Sequence, residues 1–154
     1  MSQNIDNNEN NDIKQISIED KILLHQNNWT ERVQELSKQL KTIPEIKELM
    51  NKIYSERQLC VDYYYTLMNM IAKQNKSYKV KYAKRFNFYK TQSDIRYNSD
   101  AQIVNQINAD LSEDLYINNL LESHFKFMGE TLKTIDNIIY GINNRIKLEE
   151  LIIK

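Results

Sequence analysis

Residues 121–146 read LESHFKFMGETLKTIDNIIYGINNRI, and within them Leu121, Phe125, Met128, Leu132, Ile135, Ile139, Ile142 and Ile146 recur at alternating steps of four and three. At 3.6 residues per turn this spacing gathers all eight on one face of a helix, as in the seam of a coiled coil. An intramolecular bundle helix uses the same stripe. Gly129 and Gly141 lie within it; each costs about 1 kcal/mol relative to Ala in a helix, and marks a bend or a close helix contact.

Upstream, Ser99-Asp100-Ala101-Gln102 has the form of a capping box, so the helical block opens near residue 100 and runs without proline to Lys154. As one straight helix it would be about 80 Å long, about twice the diameter expected of a compact chain of this size. Either the block breaks near Ser112, or the chain is an elongated subunit whose seam is covered by partner chains. The sustained seam favours the second, which makes its eight residues the candidates for oligomerisation.

An earlier helical block begins at a second capping box, Thr42-Ile43-Pro44-Glu45, with Pro44 tolerated in the first turn because its missing donor is not needed there. Ile46, Leu49, Met50, Ile53, Cys60, Leu67, Met68 and Ile71 then recur at helical intervals, predicting a helix of roughly seven turns that ends near Lys73. From Ser17, with Asp20 three residues on, Ile22, Leu23, Trp29, Val33, Leu36 and Leu40 fit one or two short helices interrupted at Asn27 and Asn28. Residues 1–15 are polar and Asn-rich, with too few large apolar groups to offset the entropy of ordering them. They are expected to form a disordered tail ahead of a single helical domain over 16–154.

Acids and bases balance over the 154 residues, yet residues 63–93 hold seven Lys or Arg and no Asp or Glu. Residues 1–62 carry eight bases against eleven acids and residues 98–154 five against nine, so a basic middle stands between acidic flanks that can neutralise it in a neighbouring subunit. Tyr78, Tyr82, Phe86, Phe88 and Tyr89 are interleaved with the cations. Cations that follow phosphates beside rings that accept stacked bases suit single-stranded nucleic acid, at roughly 1 to 3 kcal/mol per stack. Lys73, Lys76, Tyr78, Lys79, Lys81, Tyr82, Lys84, Arg85 and Lys90 are therefore the candidate nucleic-acid-binding residues. The alternation through Tyr78, Val80 and Tyr82 predicts a short extended arm over 76–91, with helical continuation as the alternative. Two other readings compete: a solvated basic face whose rings enter the core of a helical scaffold, and a segment resting on an acidic membrane. The missing amphipathic helical period argues against the membrane.

Catalytic chemistry finds no foothold. His25 and His124 read as structural or surface residues, and His124 lacks the Glu-x-x-His partners of a helical di-iron site. The lone cysteine, Cys60, has no nearby His and reads as core, in a chain expected in a reducing compartment. Two glycines cannot build a phosphate loop. No enzyme activity, cofactor or metal is expected. The sequence has neither the layout of a signal peptide nor a span near twenty apolar residues, so no membrane association is expected.

Four stretches in order, Ile46-Lys47-Glu48-Leu49-Met50, Asp62-Tyr63-Tyr64-Tyr65, Tyr97-Asn98-Ser99-Asp100 and Leu132 to Tyr140 followed by Arg145-Ile146-Lys147, resemble the UvsY family of recombination mediators from T-even-like bacteriophages. The resemblance rests on order and spacing over most of residues 40–150. It implies an all-α fold, assembly into rings of six or seven copies, and binding of single-stranded DNA. It further implies help to a RecA-like recombinase in loading onto DNA covered by single-strand binding protein, in the cytoplasm of an infected host and from a phage-encoded chain. The family commonly carries basic residues at or just before its tyrosine pair, where this chain has Val61, Asp62 and a third Tyr. No DNA-contact role is carried to that position; the run from Lys73 to Lys90 is its substitute. The expected molecule is thus all-α, a helical hairpin or bundle with a short extended basic arm, assembling as a ring-like homo-oligomer.

Overall fold

A computed structural model describes residues 16–38 and 46–152, with only the backbone described at Lys47. The expected tail over 1–15, the Thr42 capping box and Leu40 lie outside the described residues. Four helices account for most of the rest: α1 over Ile18–Lys38, α2 over Ile46–Thr91, α3 over Asp100–Asp110 and α4 over Ser112–Ile152. No strand occurs among the described residues, and none of their helices is long and apolar enough to cross a membrane.

α1 and α3 begin where their caps predict. Ser17 Oγ accepts from the Asp20 amide at 3.1 Å, opening α1. Ser99 accepts from the Gln102 amide at 3.4 Å while the Asn98 amide donates to Gln102 Oε1 at 2.8 Å, so side chain and backbone satisfy each other across the first turn of α3. The interruption expected at Asn27 and Asn28 does not occur. Asn28 Oδ1 instead accepts from Arg32 Nε one turn on, at 2.8 Å, and Asn costs a helix only a few tenths of a kcal/mol.

Contacts between α2 and α4 pair early residues with late ones: Arg57 with Asp136, Cys60 with Met128, Tyr64 with Phe125, Gln74 with Asp114. The two long helices are therefore antiparallel, about 69 and 61 Å at 1.5 Å per residue. α1 lies along both, antiparallel to α2 through Arg32 and Glu56 and parallel to α4 through Gln26 and His124. The core of this bundle is Trp29, Leu36, Leu49, Ile53, Cys60, Leu67, Leu121, Met128, Ile135 and Ile142.

Two expectations change here. The seam from Leu121 to Ile146 is covered within the chain: Leu121, Met128, Ile135 and Ile142 are buried, and Phe125, Leu132, Ile139 and Ile146 pack against them from the edges. The premise that partner chains must cover it falls away, because α1 and α2 bring matching aliphatic stripes. The carboxy-terminal block also breaks, at Leu111, whose φ of −106° and ψ of 18° separate α3 from α4. Neither glycine answers a steric need: a Cβ at Gly129 would meet Tyr64 at an ordinary 3.6 Å, and one at Gly141 would meet nothing within 4 Å.

The extended arm expected over 76–91 is instead the last third of α2. Tyr78, Tyr82, Phe86 and Tyr89 stand at steps of four, four and three, and all four pack against a second cluster of Ile103 and Ile107 on α3 and Leu111 just after it. This is helical periodicity, so the lack of such a period no longer counts against the membrane reading. Val80 and Phe88, which produced the look of alternation, face solvent.

Candidate nucleic-acid interface

Successive residues of a helix are 100° apart, so the burial of Tyr78, Tyr82 and Phe86 against α3 fixes where the cations of α2 point. Lys73, Lys76 and Lys84 lie on the opposite face with Val80 among them, and Lys79 lies on one flank. All four Lys are exposed, and none takes part in an ion pair among the described residues. From Lys73 to Lys84 they extend over about 16 Å of helix axis.

The other three candidates are engaged. Lys81 Nζ lies 2.6 Å from Asp114, Arg85 Nε 3.7 Å from Asp110, and Lys90 Nζ 3.5 Å from Asp100 while also sitting over the Phe86 ring at 5.3 Å. Tyr89 donates to Asp110 as well, a bond that lowers the carboxyl and raises the phenol from their usual values. The acidic flank seen in the sequence thus neutralises part of the basic segment within the same chain.

The aromatic half of the candidate site also changes. Tyr78 and Tyr82, with ring centroids 6.2 Å apart, are half-buried against α3 rather than free on the surface. Phe88 is the exposed ring of this segment, 42% accessible, and it lines a shallow cleft of about 490 Å³ with Lys81, Lys84, Arg85, Asp110, Leu111 and Asp114. Sequence reasoning named Phe88 among the interleaved rings without placing it in the site, and it missed Asp110 and Asp114. Their spacing of four beside a basic helix was the available signal.

In the tyrosine triplet, Tyr63 stacks on His25 at 3.9 Å between centroids, Tyr64 stacks on Phe125 at 4.3 Å, and Tyr65 is exposed. His124 is buried in the core and His25 half-buried beside it, with ring centroids 5.0 Å apart. His25 accepts from Trp29 Nε1 at 3.2 Å, and His124 Nδ1 lies 3.5 Å from Gln26 Nε2. Burial first, and the neighbouring His25 second, push His124 down to about 4; burial and then Arg32 lower His25. Burial likewise pushes the Cys60 thiol up to about 11, which keeps it a protonated core group donating to the Met128 carbonyl.

Comparison with protein-family models, with curated proteins and with solved structures finds no match to this chain.

Proposed function

We propose that this chain binds single-stranded DNA along the outer face of the last third of α2, without catalysis, and helps a RecA-like recombinase displace single-strand binding protein. The observation that carries the DNA reading is the set of four exposed lysines, Lys73, Lys76, Lys79 and Lys84, on a helix segment with no acid of its own. Their charges suit a backbone contact that ignores sequence, and Phe88 offers one stacking face at its edge. The recombinase, the single-strand binding protein and a ring of six or seven copies rest on the resemblance to the UvsY family. With the Leu121–Ile146 seam covered inside the chain, ring contacts would draw on exposed apolar groups such as Leu148, Leu151 and Ile152 at the end of α4. Repeating a modest site around a ring makes affinity a matter of linked contacts rather than of one strong one.

Titration of a labelled oligo-dT at several salt concentrations, with an absolute mass measurement alongside, tests this reading. Four phosphates neutralised per protomer predict a log-log salt slope near −3, and K73Q/K76Q/K84Q flattens it by about 2 with helix content unchanged. No binding at low salt, or a preference for duplex of matched length, rejects the DNA reading. Equal recombinase activity on pre-coated DNA with and without the protein rejects mediation alone. A second reading, a helical interaction protein, is favoured by one observation: the rings of Tyr78 and Tyr82 serve the α3 contact.

A further inference from the structure

The three acids that pair with the basic segment all fall between residues 100 and 114, in α3 and the first turn of α4, and they pair in antiparallel order: Asp114 with Lys81, Asp110 with Arg85, Asp100 with Lys90. Between these pairs Ile103, Ile107 and Leu111, spaced by four, cover the row of Tyr78, Tyr82, Phe86 and Tyr89. Carboxylates therefore stand on the cations, and apolar side chains on the rings, where a single strand would bring phosphates and bases. We propose that α3, with the first turn of α4, is an autoinhibitory segment that mimics the polyanion on α2 and must lift for the full strand-binding face to form.

The proposal rests on the DNA reading above and adds to it a second, larger state of the site. Four further rings and three further cations join Lys73, Lys76, Lys79 and Lys84 once the segment is displaced. The geometry allows release. The cluster beneath α3 has three buried residues and is separate from the core shared by α1, α2 and α4. α3 is bounded by non-helical backbone on both sides, over residues 92–99 and at Leu111, and the first turn of α4, which carries Asp114, lies at a helix end, where fraying costs least. Each cation of the three pairs keeps about half of its side chain exposed, so a competing phosphate can reach it without prior opening.

Anisotropy of a labelled oligo-dT measured on full-length variants tests the proposal. D100N/D110N/D114N frees the three cations, and E31Q/E35Q/E122Q makes the same change in net charge on exposed acids away from the segment. The first variant is expected to bind about tenfold more tightly than the second at equal salt, with a salt slope steeper by about 2, or about 0.7 for each of three cations. I103A/I107A alters no charge and is expected to tighten binding severalfold by loosening the apolar cover. Circular dichroism verifies that it remains folded, and if it does not, the asparagine variant carries the test. Amides of residues 100–110 should exchange hydrogen faster when the wild-type protein is saturated with oligo-dT. Equal affinity of the two charge variants, with α3 amides no less protected in the complex, overturns autoinhibition and leaves the DNA reading standing. Failure of the wild type and every variant to bind oligo-dT at low salt overturns both. Weak binding by the wild type through its four exposed lysines, beside much tighter binding by both released variants, is the strongest result in its favour.

Discussion

The two ends of α2 meet their neighbours through different chemistry. From Ile46 to Ile71 the helix presents aliphatic residues, Cys60 and two tyrosines to α1 and α4, and ten buried residues from three helices interlock there. From Tyr78 to Tyr89 it presents four rings to one short helix, over a cluster with three buried residues and an edge of ion pairs. Burial of aliphatic side chains, worth roughly 1.5 to 3 kcal/mol each, makes the first contact the seat of stability. The second holds charge and rings in half-exposed positions, where local opening costs least.

The strongest way to break this contrast is to place a charge in each cluster. I135D/I139D should abolish the cooperative unfolding transition, since an unpaired buried carboxylate costs more than about 5 kcal/mol in a tightly packed core. A folded monomer carrying these changes would return the seam to an interface between chains. Ile107→Asp should remove only the ellipticity of α3, leaving the main transition in place. If it unfolds the whole chain, the two clusters are one cooperative unit.

Acid titration sharpens the comparison. His124 is neutral in the fold, with its proton affinity lowered to about 4 against 6.5 unfolded, so the unfolded chain binds more protons between those values. Its contribution is complete above pH 6.5 and is lost as pH falls towards 4, by about 3 kcal/mol at full extent. Urea unfolding of wild type and His124→Phe across pH 4 to 7 measures this, and the variant should lose most of the slope. Gly141→Ala should raise stability by about 1 kcal/mol in the same assay, because its site is helical and open. Smallest of all, a double-mutant cycle on Arg57 and Asp136, both substantially exposed, should return under about 1 kcal/mol.

The helical class, the caps at Ser17 and Ser99 and the apolar stripe of α4 were legible because each is a local pattern with one physical solution. The function of that stripe was not. Steps of four and three say that a face is buried and are silent on whether the covering helix belongs to the same chain; here Trp29, Ile53 and Leu67 cover it. The basic run was legible as charge and misread as backbone. Val80 and Phe88 between lysines imitate a strand, whereas Tyr78, Tyr82, Phe86 and Tyr89 carry the helical period once their partners on α3 are known. What the sequence could not place at all was the pairing of Lys81, Arg85 and Lys90, since their acids lie 10 to 33 residues away.

The antiparallel course of α2 against α3 and α4 also orders the folding of the chain. Tyr89 meets Asp110 across 21 residues, Lys81 meets Asp114 across 33, Cys60 meets Met128 across 68, and Arg57 meets Asp136 across 79. α1 closes last in this series, with Gln26 reaching His124 across 98. Each contact shortens the loop that the next must close, so the entropy of closure favours zipping from the turn at residues 92–99 outward. The end of the molecule with the smallest core is thus the first to assemble, and a protein that opens there retraces the earliest step of its own folding.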